Sequence, residues 1–143
     1  NMRSQMFAKS LPMPMVKGAL KRLDMLRTMP ELKAKLWENV HALQNGLKEN
    51  GFNIGKTNTC VTPVFLEGDI PEAMAMVHDL RENYGIFCSI VVYPVIPKGL
   101  IILRLIPTTT HTLEDVRITI ESFSAMREKL EKGVYKRIAA SMM

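Results

Sequence analysis

One charged side chain lies inside an apolar stretch of the sequence. The segment from Leu100 to Ile106 has the aliphatic, β-branched composition of a strand, and Arg104 is its single ionisable residue. A guanidinium among aliphatic neighbours costs free energy unless an anion pairs with it, and its planar fork can form two parallel hydrogen bonds to a carboxylate or a phosphate. Arg104 is therefore predicted to bind an anion. The alternatives are an ordinary ion pair and an arginine on the solvated face of a half-buried strand.

The other residues with chemical potential favour structural interpretations. His111 could transfer a proton or contact a substrate, but its place in a turn favours a ring that bonds the backbone near a helix start. His41 and His78 each lie alone within a helical pattern, without metal-ligand spacing. Cys60 and Cys88 stand singly in apolar segments and are predicted to be reduced thiols. The sequence therefore predicts no metal site and no catalytic residue within this chain.

Composition narrows the class of protein. A chain of 143 residues with 47% hydrophobic residues can bury the core of one domain. The net charge of +5 is spread along the chain and aromatic residues make up 6%, which is a poor pattern for a nucleic-acid surface. No apolar run is long enough for a membrane span, and no signal peptide is visible. We therefore expect a cytoplasmic protein that has no membrane span and does not bind nucleic acid.

The first half of the sequence predicts two helices. Prolines at 12 and 14 favour an irregular segment before a helix over about residues 14–27. Thr28, three residues before Glu31, predicts a capping box at the start of a second and longer helix. Leucine and valine recur at helical spacing along it, and Gly51 provides its left-handed end.

The second half predicts a strand–helix–strand–strand–helix block. Pro63 indicates that the first strand lies at a sheet edge or contains a bulge, and the middle helix is expected to bury Ala73, Met74, Val77 and Leu80. The elements are a strand over 61–66, a helix between Asp69 and Gly85, strands over 86–92 and 100–106, and a helix after Thr112, which forms a capping box with Asp115.

These elements define the fold class. We expect an α/β (α+β) protein that forms an open two-layer sandwich, with a small, mostly antiparallel sheet covered by helices on one face. The strands show little polar alternation, so the other face should also be buried. The helices suffice for one face only, which indicates that a partner domain covers the other.

Five ordered segments resemble the C-terminal part of the α-oxoamine synthases, which are pyridoxal-phosphate enzymes of the class II aminotransferase group with the fold-type I architecture. The resemblance extends over about residues 1–131 without a large gap. The segments are Phe7–Pro12, Pro30–Val40, Gly85–Ser89, Val95–Gly99, and Leu103-Arg104 with Thr110-His111-Thr112 downstream. The segment 89–94 is apolar here, whereas many family members carry an arginine-and-proline sequence, which points to a different acyl-group or partner preference.

The resemblance implies roles for three residues. It assigns Arg104 to the carboxylate of the amino-acid substrate. It assigns the phosphate of pyridoxal phosphate, in the neighbouring subunit of a homodimer, to Ser10, with Lys9 as an electrostatic substitute. It also implies that residues 1–131 are the small domain, with 1–13 leading in from a missing N-terminal large domain, and that 132–143 form a C-terminal tail.

The implied activity is the condensation of an amino acid with an acyl-CoA. The lysine that bonds covalently to the cofactor belongs to the large domain in this family, so we expect the chain alone to be inactive and to carry no bound cofactor. Two non-catalytic alternatives remain open from the residues themselves: an amino-acid-binding module and a dimerisation module.

Overall fold

The computed structural model describes residues 10–141, which form five helices and three strands. The chain divides into two units, residues 1–34 and residues 35–143, and each is described by itself. In chain order the elements are α1 (Met13–Thr28), α2 (Pro30–Glu49), β1 (Thr62–Glu67), α3 (Ile70–Tyr84), β2 (Ser89–Val91), β3 (Leu100–Leu105), α4 (Leu113–Glu131) and α5 (Val134–Ser141).

The first unit contains α1 and the start of α2. The predicted capping box at this boundary is wrong. Thr28 is the last residue of α1, and its Oγ1 donates to the Asp24 carbonyl one turn earlier, at 2.9 Å. A threonine hydroxyl can bond back to its own helix as easily as it caps the next one, and here the helix continues through Thr28 before Pro30 begins α2.

The second unit contains a three-stranded antiparallel sheet in the order β1-β3-β2. The sheet confirms the predicted α+β class, and β1 is an edge strand, where Pro63 breaks no ladder. β2 is shorter than expected, and β3 ends at Leu105 rather than Ile106. Pairing sets these limits, because Ser89–Val91 is the only part of the 86–92 segment that lies opposite β3.

The two faces of the sheet differ. Residues on the inner face, among them Val64, Ile101 and Leu103, are buried against the helices. The outer face consists of the alternate residues, which are half-buried or exposed. From the strand register they are Pro63, Phe65 and Glu67 in β1, Ser89 and Val91 in β2, and Leu100, Ile102 and Arg104 in β3.

Helices from both halves of this unit complete the core. Leu43 and Leu47 of α2 pack with Met76 of α3, Phe123 of α4 and Tyr135 of α5. The left-handed end of α2 at Gly51 is confirmed, with φ +77. α4 ends at Glu131, and α5 is a separate helix after a break at residue 133.

The middle helix α3 begins and ends where predicted, and it buries Ala73 and Leu80 fully and Val77 in part, as expected. Asp69 accepts a hydrogen bond from the Glu72 backbone N–H, and Gly85 ends the helix with φ +68. The core takes Met76, whereas the expected Met74 is 57% exposed. Alternating alanines and methionines fit two adjacent helical faces, so periodicity could not decide between them. The capping box of Thr112 with Asp115 is also present.

Among the described residues, no helix combines the length and the apolar character that a bilayer span requires.

Candidate functional site

Arg104 lies in the central strand of the sheet, on the outer face. Its register partners are Pro63 of β1 on one side and Ser89 of β2 on the other. The expectation that aliphatic side chains enclose the guanidinium is wrong, since Arg104 is exposed while Leu103 and Leu105 are buried. Alternation along β3 explains the difference, because it turns every second side chain away from the helices.

The guanidinium is anchored at one nitrogen. Arg104 Nε donates to Ser89 Oγ at 3.1 Å across the β2–β3 ladder. Within residues 10–141 no carboxylate lies within 4 Å of the guanidinium, and neither Nη nitrogen has a hydrogen-bond partner. The ordinary ion pair is therefore excluded for this part of the chain. Two donors remain available side by side, which is the arrangement that a carboxylate or a phosphate accepts.

The surroundings of Arg104 on the outer face are apolar. Ile102, its neighbour on that face, is half-buried, and Phe65 and Val91 flank Ile102 from β1 and β2. A guanidinium beside carbon surface is weakly screened once another layer excludes water from the face. Taken by itself the chain shows an arginine on the solvated face of a half-buried strand, and its anion binding stays a prediction.

His111 occupies the turn between β3 and α4. Its Nδ1 accepts a hydrogen bond from the Thr108 backbone N–H at 2.9 Å, as the structural interpretation predicts. The fully buried Asn39 of α2 holds the same turn, since its Nδ2 donates to the carbonyls of Thr108 and His111 at 3.0 and 2.8 Å. The Asn39 Oδ1 is buried without a partner among the described residues.

The sequence pattern does not indicate the roles of two of these residues. Ser89 falls within a predicted strand, but its contact with Arg104 depends on the register of β2 against β3. Asn39 falls within the segment Pro30–Val40, where no motif marks it as a buried amide. A polar residue between inward-facing Leu36, Val40 and Leu43 is the signal that could have indicated a buried amide with a structural partner.

The cofactor contacts predicted from the resemblance are placed only in part. Lys9 lies outside the described residues. Ser10 is exposed, and its hydroxyl forms no hydrogen bond with another described residue. A free hydroxyl is chemically suited to a phosphate oxygen, so Ser10 fits a peripheral contact to pyridoxal phosphate.

Lys129, which forms an ion pair with Asp79, is not suited to covalent chemistry. Lys129 Nζ donates to both carboxylate oxygens of Asp79, at 2.8 and 3.0 Å, and this raises the pKa of the amine. A nucleophilic lysine needs a lowered pKa.

The thiols and the remaining histidines also match the structural interpretation. Cys88 is buried, and the loss of solvent raises the pKa of its thiol to about 11, so little thiolate forms at neutral pH. His41 and His78 are exposed, and His41 stacks near Trp37. No cluster of three or more potential metal ligands occurs in residues 10–141.

The sequence is similar to known acyltransferases along nearly its whole length. It is 74% identical over 142 residues to a cysteate-C-fatty acyltransferase of Capnocytophaga ochracea, which covers 99% of this chain and 34% of that protein. It is 34% identical over 128 residues to an 8-amino-7-oxononanoate synthase of Alkaliphilus oremlandii, covering 90% of this chain and 32% of that one. No protein-family model matches the chain.

The fold has the same relatives. A solved structure of serine palmitoyltransferase with pyridoxal phosphate superimposes with a TM-score of 0.79 and 29% identity, over 87% of this chain and 31% of that one. The fold is thus that of fold-type I pyridoxal-phosphate enzymes. Within that class, the chain belongs to the α-oxoamine synthases. It spans about a third of the length of the relatives that it matches.

Proposed function

We propose that this chain is the part of an α-oxoamine synthase that supplies the receptor for the amino-acid carboxylate. Arg104 is that receptor. The whole enzyme joins an amino acid to a fatty acyl thioester, and the 74% identity to a cysteate-C-fatty acyltransferase favours cysteate as the amino acid. The observation that carries the proposal is the guanidinium of Arg104, which is fixed at Nε by Ser89 while both Nη nitrogens remain available.

The reaction needs a carbanion at the α-carbon of the amino acid. Pyridoxal phosphate, when bound, delocalises that electron pair. Loss of the α-proton leaves the electron pair on the α-carbon, which bonds to the acyl carbon as the C–S bond of the thioester breaks and the released thiolate takes up a proton. In the members that decarboxylate, the bond to the carboxylate then breaks and carbon dioxide departs. Ser10, the described residue of this chain that fits the cofactor, would contact the phosphate through its hydroxyl.

Arg104 contributes by orientation. Two parallel hydrogen bonds from Nη1 and Nη2 fix the plane of the carboxylate, and this decides which bond at the α-carbon is aligned for reaction. The hydrogen bond from Arg104 Nε to Ser89 Oγ limits rotation of the guanidinium and leaves Nη1 and Nη2 for the carboxylate. Loss of the contact should cost about 1.5–3 kcal/mol, as for hydrogen bonds to charged groups.

The decisive experiment compares Arg104→Ala and Arg104→Lys in the full-length enzyme. We expect Arg104→Ala to raise the KM for the amino acid by roughly 10- to 150-fold, while the KM for the acyl thioester changes less than twofold. Arg104→Lys should recover part of the loss, because an ammonium retains the charge but not the paired donors. Steady-state kinetics with each substrate varied in turn provide the measurement.

A matched control uses another exposed arginine. Arg117 is paired with Glu114 at 2.6 Å and with Glu121 on the surface of α4. We expect Arg117→Ala to leave both KM values unchanged. An amino-acid KM that stays at the wild-type value in Arg104→Ala, with normal kcat, would refute the assignment.

A further inference from the structure

An apolar pocket of about 270 Å³ lies at one end of the sheet. β1 and β2 end there and β3 begins there, so the pocket is bounded by the β1–α3 turn and by the connector between β2 and β3. The Gly68 backbone N–H donates to the Gly99 carbonyl at 3.0 Å and ties these two segments together. A Cβ at residue 68 would lie 2.8 Å from Ile101 Cδ1, so glycine permits this close approach.

The lining is hydrophobic and partly open to solvent. Ile70, Tyr93 and Leu100 are 45%, 49% and 39% exposed, and they lie together in this pocket. Exposed apolar side chains that are contiguous, rather than scattered, mark a binding surface. The volume lies just below the usual range of about 300–1,000 Å³ for ligand pockets, which suits a portion of a chain rather than a whole cofactor.

The two charged residues of the lining are already engaged. Asp69 accepts a hydrogen bond from the Glu72 N–H at 2.9 Å, which caps α3. Lys98 places its Nζ 5.1 Å from the centre of the Tyr93 ring. The Asp69 carboxylate serves the helix cap, the Lys98 ammonium lies against the Tyr93 ring, and the other lining residues are apolar or glycine, so the pocket favours an apolar ligand.

Position connects this pocket to Arg104. Leu100, in its lining, and Arg104 both belong to the outer face, with half-buried Ile102 between them. By the rise of a β-strand, Leu100 lies roughly 13 Å from Arg104 along β3. A ligand whose reactive end is near Arg104 could therefore extend along carbon surface into the pocket.

We propose that this pocket binds the distal part of the fatty acyl chain during acyl transfer. The inference rests on the proposed function, which makes a fatty acyl thioester the second substrate. Each methylene that enters the pocket should improve kcat/KM by about fourfold, the factor that corresponds to 0.8 kcal/mol. Short acyl chains that end before the pocket should show no such dependence.

The test blocks the pocket in the full-length enzyme. Ile70→Trp fills it from the first turn of α3, and Ile70→Ala removes part of its wall. Val95→Trp is the control. Val95 lies in the connector between β2 and β3 that borders the pocket, but it is 78% exposed and does not line the pocket. For each variant we would measure kcat/KM with palmitoyl-CoA and butyryl-CoA, the KM for the amino acid, and the dissociation constant of palmitoyl-CoA without the amino acid.

We expect both Ile70 variants to lower kcat/KM for palmitoyl-CoA at least tenfold and to weaken its binding, with butyryl-CoA and the amino-acid KM within twofold of wild type. Val95→Trp should match the wild type with both thioesters. An equal change with both thioesters, or no change with either, would overturn the pocket assignment. Failure of the proposed function is distinguishable, because the unaltered enzyme would then show no acyl transfer to an amino acid.

Discussion

Arg104 and Ser89 form a pair in which one side chain positions the other. The hydroxyl of Ser89 contacts Nε, and the two Nη nitrogens that we assign to the carboxylate extend beyond it. Ser89 touches no substrate in this arrangement, so its effect should pass entirely through the orientation of the guanidinium. Substitution of a positioning residue should change the KM for the amino acid alone, whereas substitution of a merely structural residue should affect both substrates or the stability of the fold.

Ser89→Ala should raise the KM for the amino acid about fivefold, which corresponds to about 1 kcal/mol for one hydrogen bond. The KM for the acyl thioester and the unfolding midpoint in urea should remain at wild-type values. Ser89→Thr keeps the hydroxyl on a residue that suits a strand, and it should restore most of the affinity. If Ser89→Thr were as impaired as Ser89→Ala, the hydroxyl would not be the positioning group.

The sequence was sufficient to select Arg104 but not to describe its environment. An arginine in an apolar strand is visible in the residue order alone. Its exposure depends on which alternate residues the helices cover, and its contact with Ser89 depends on how the connector before β3 sets the register. Both are tertiary properties, and a one-residue shift of register would reverse the face of every side chain.

At the scale of elements, helix starts were predictable where the side chain had no competing partner. Thr112 caps as expected and Asp69 caps at the predicted start of α3, because each is itself extended and stands three residues before a carboxylate that accepts from its N–H. Thr28 has the same spacing to an acidic residue and does not cap, because its hydroxyl bonds within α1. The spacing of the motif alone does not show that a cap forms. The backbone conformation of the threonine decides whether its hydroxyl caps the next helix or bonds within the preceding one.

This contrast gives a paired prediction. Thr112→Ala should lower the free energy of unfolding by about 1 kcal/mol, because it removes the acceptor for the Asp115 N–H at the start of α4. Thr28→Ala should change it by less than about 0.5 kcal/mol, as is usual for exposed positions. Urea denaturation of both variants at pH 7 provides the comparison. Equal losses in the two variants would contradict the cap assignment.

Three helices meet at the carboxylate of Asp79. Lys129 of α4 and Tyr135 of α5 donate to Oδ2 at 2.8 and 2.5 Å, and Asn83 of α3 donates to Oδ1 at 2.6 Å. Burial alone would raise the pKa of Asp79, but the hydrogen bonds from Lys129, Tyr135 and Asn83 outweigh it and lower the pKa below its ordinary value. The ionised carboxylate therefore links α5 to the rest of the core.

The lowered pKa has a defined consequence for stability. A carboxyl group whose pKa is lower in the folded state stabilises the fold above its unfolded pKa, near 3.8, and loses that contribution as the pH falls through the folded value. We expect the stability of the wild type to fall in acid below about pH 4, with Asp79 contributing to the slope. Asp79→Asn should be less stable at pH 7 and show a shallower decrease in acid.

Thermal unfolding between pH 7 and pH 3 measures both effects. Glu114→Gln is a suitable control, because Glu114 is exposed and pairs with Arg117 within a single helix. It should leave the neutral-pH stability and the acid slope near those of the wild type, since an exposed pair of this kind contributes little. Parallel acid slopes for Asp79→Asn and wild type would exclude Asp79 as the titrating link.

At the scale of the whole molecule, the outer face of the sheet is an apolar surface that the helices of the second unit leave uncovered. Helices bury the inner face, whereas Phe65, Val91 and Ile102 on the outer face are half-buried and Leu100 is exposed. The sequence predicted this asymmetry from the number of helices available. It did not predict that the one cation of the central strand lies on the same uncovered face.

Such a face should drive association when the 143-residue chain is present alone. Two copies that meet through their outer faces would remove Ile102 and its apolar neighbours from water, and the buried area would determine the affinity. We expect sedimentation velocity to show a concentration-dependent shift from monomer to dimer or larger species. Ile102→Lys should suppress the shift, because a charge at the centre of the face must then be desolvated.

The control places the same charge on an exposed apolar residue outside the sheet. Leu113, at the start of α4, is 48% exposed and does not belong to the sheet. Leu113→Lys should associate as the wild type does, and both variants should retain the wild-type circular dichroism spectrum because the inner face is unchanged. If the wild-type chain stays monomeric at all concentrations, or if Leu113→Lys suppresses association as strongly as Ile102→Lys, the outer face is not the contact surface.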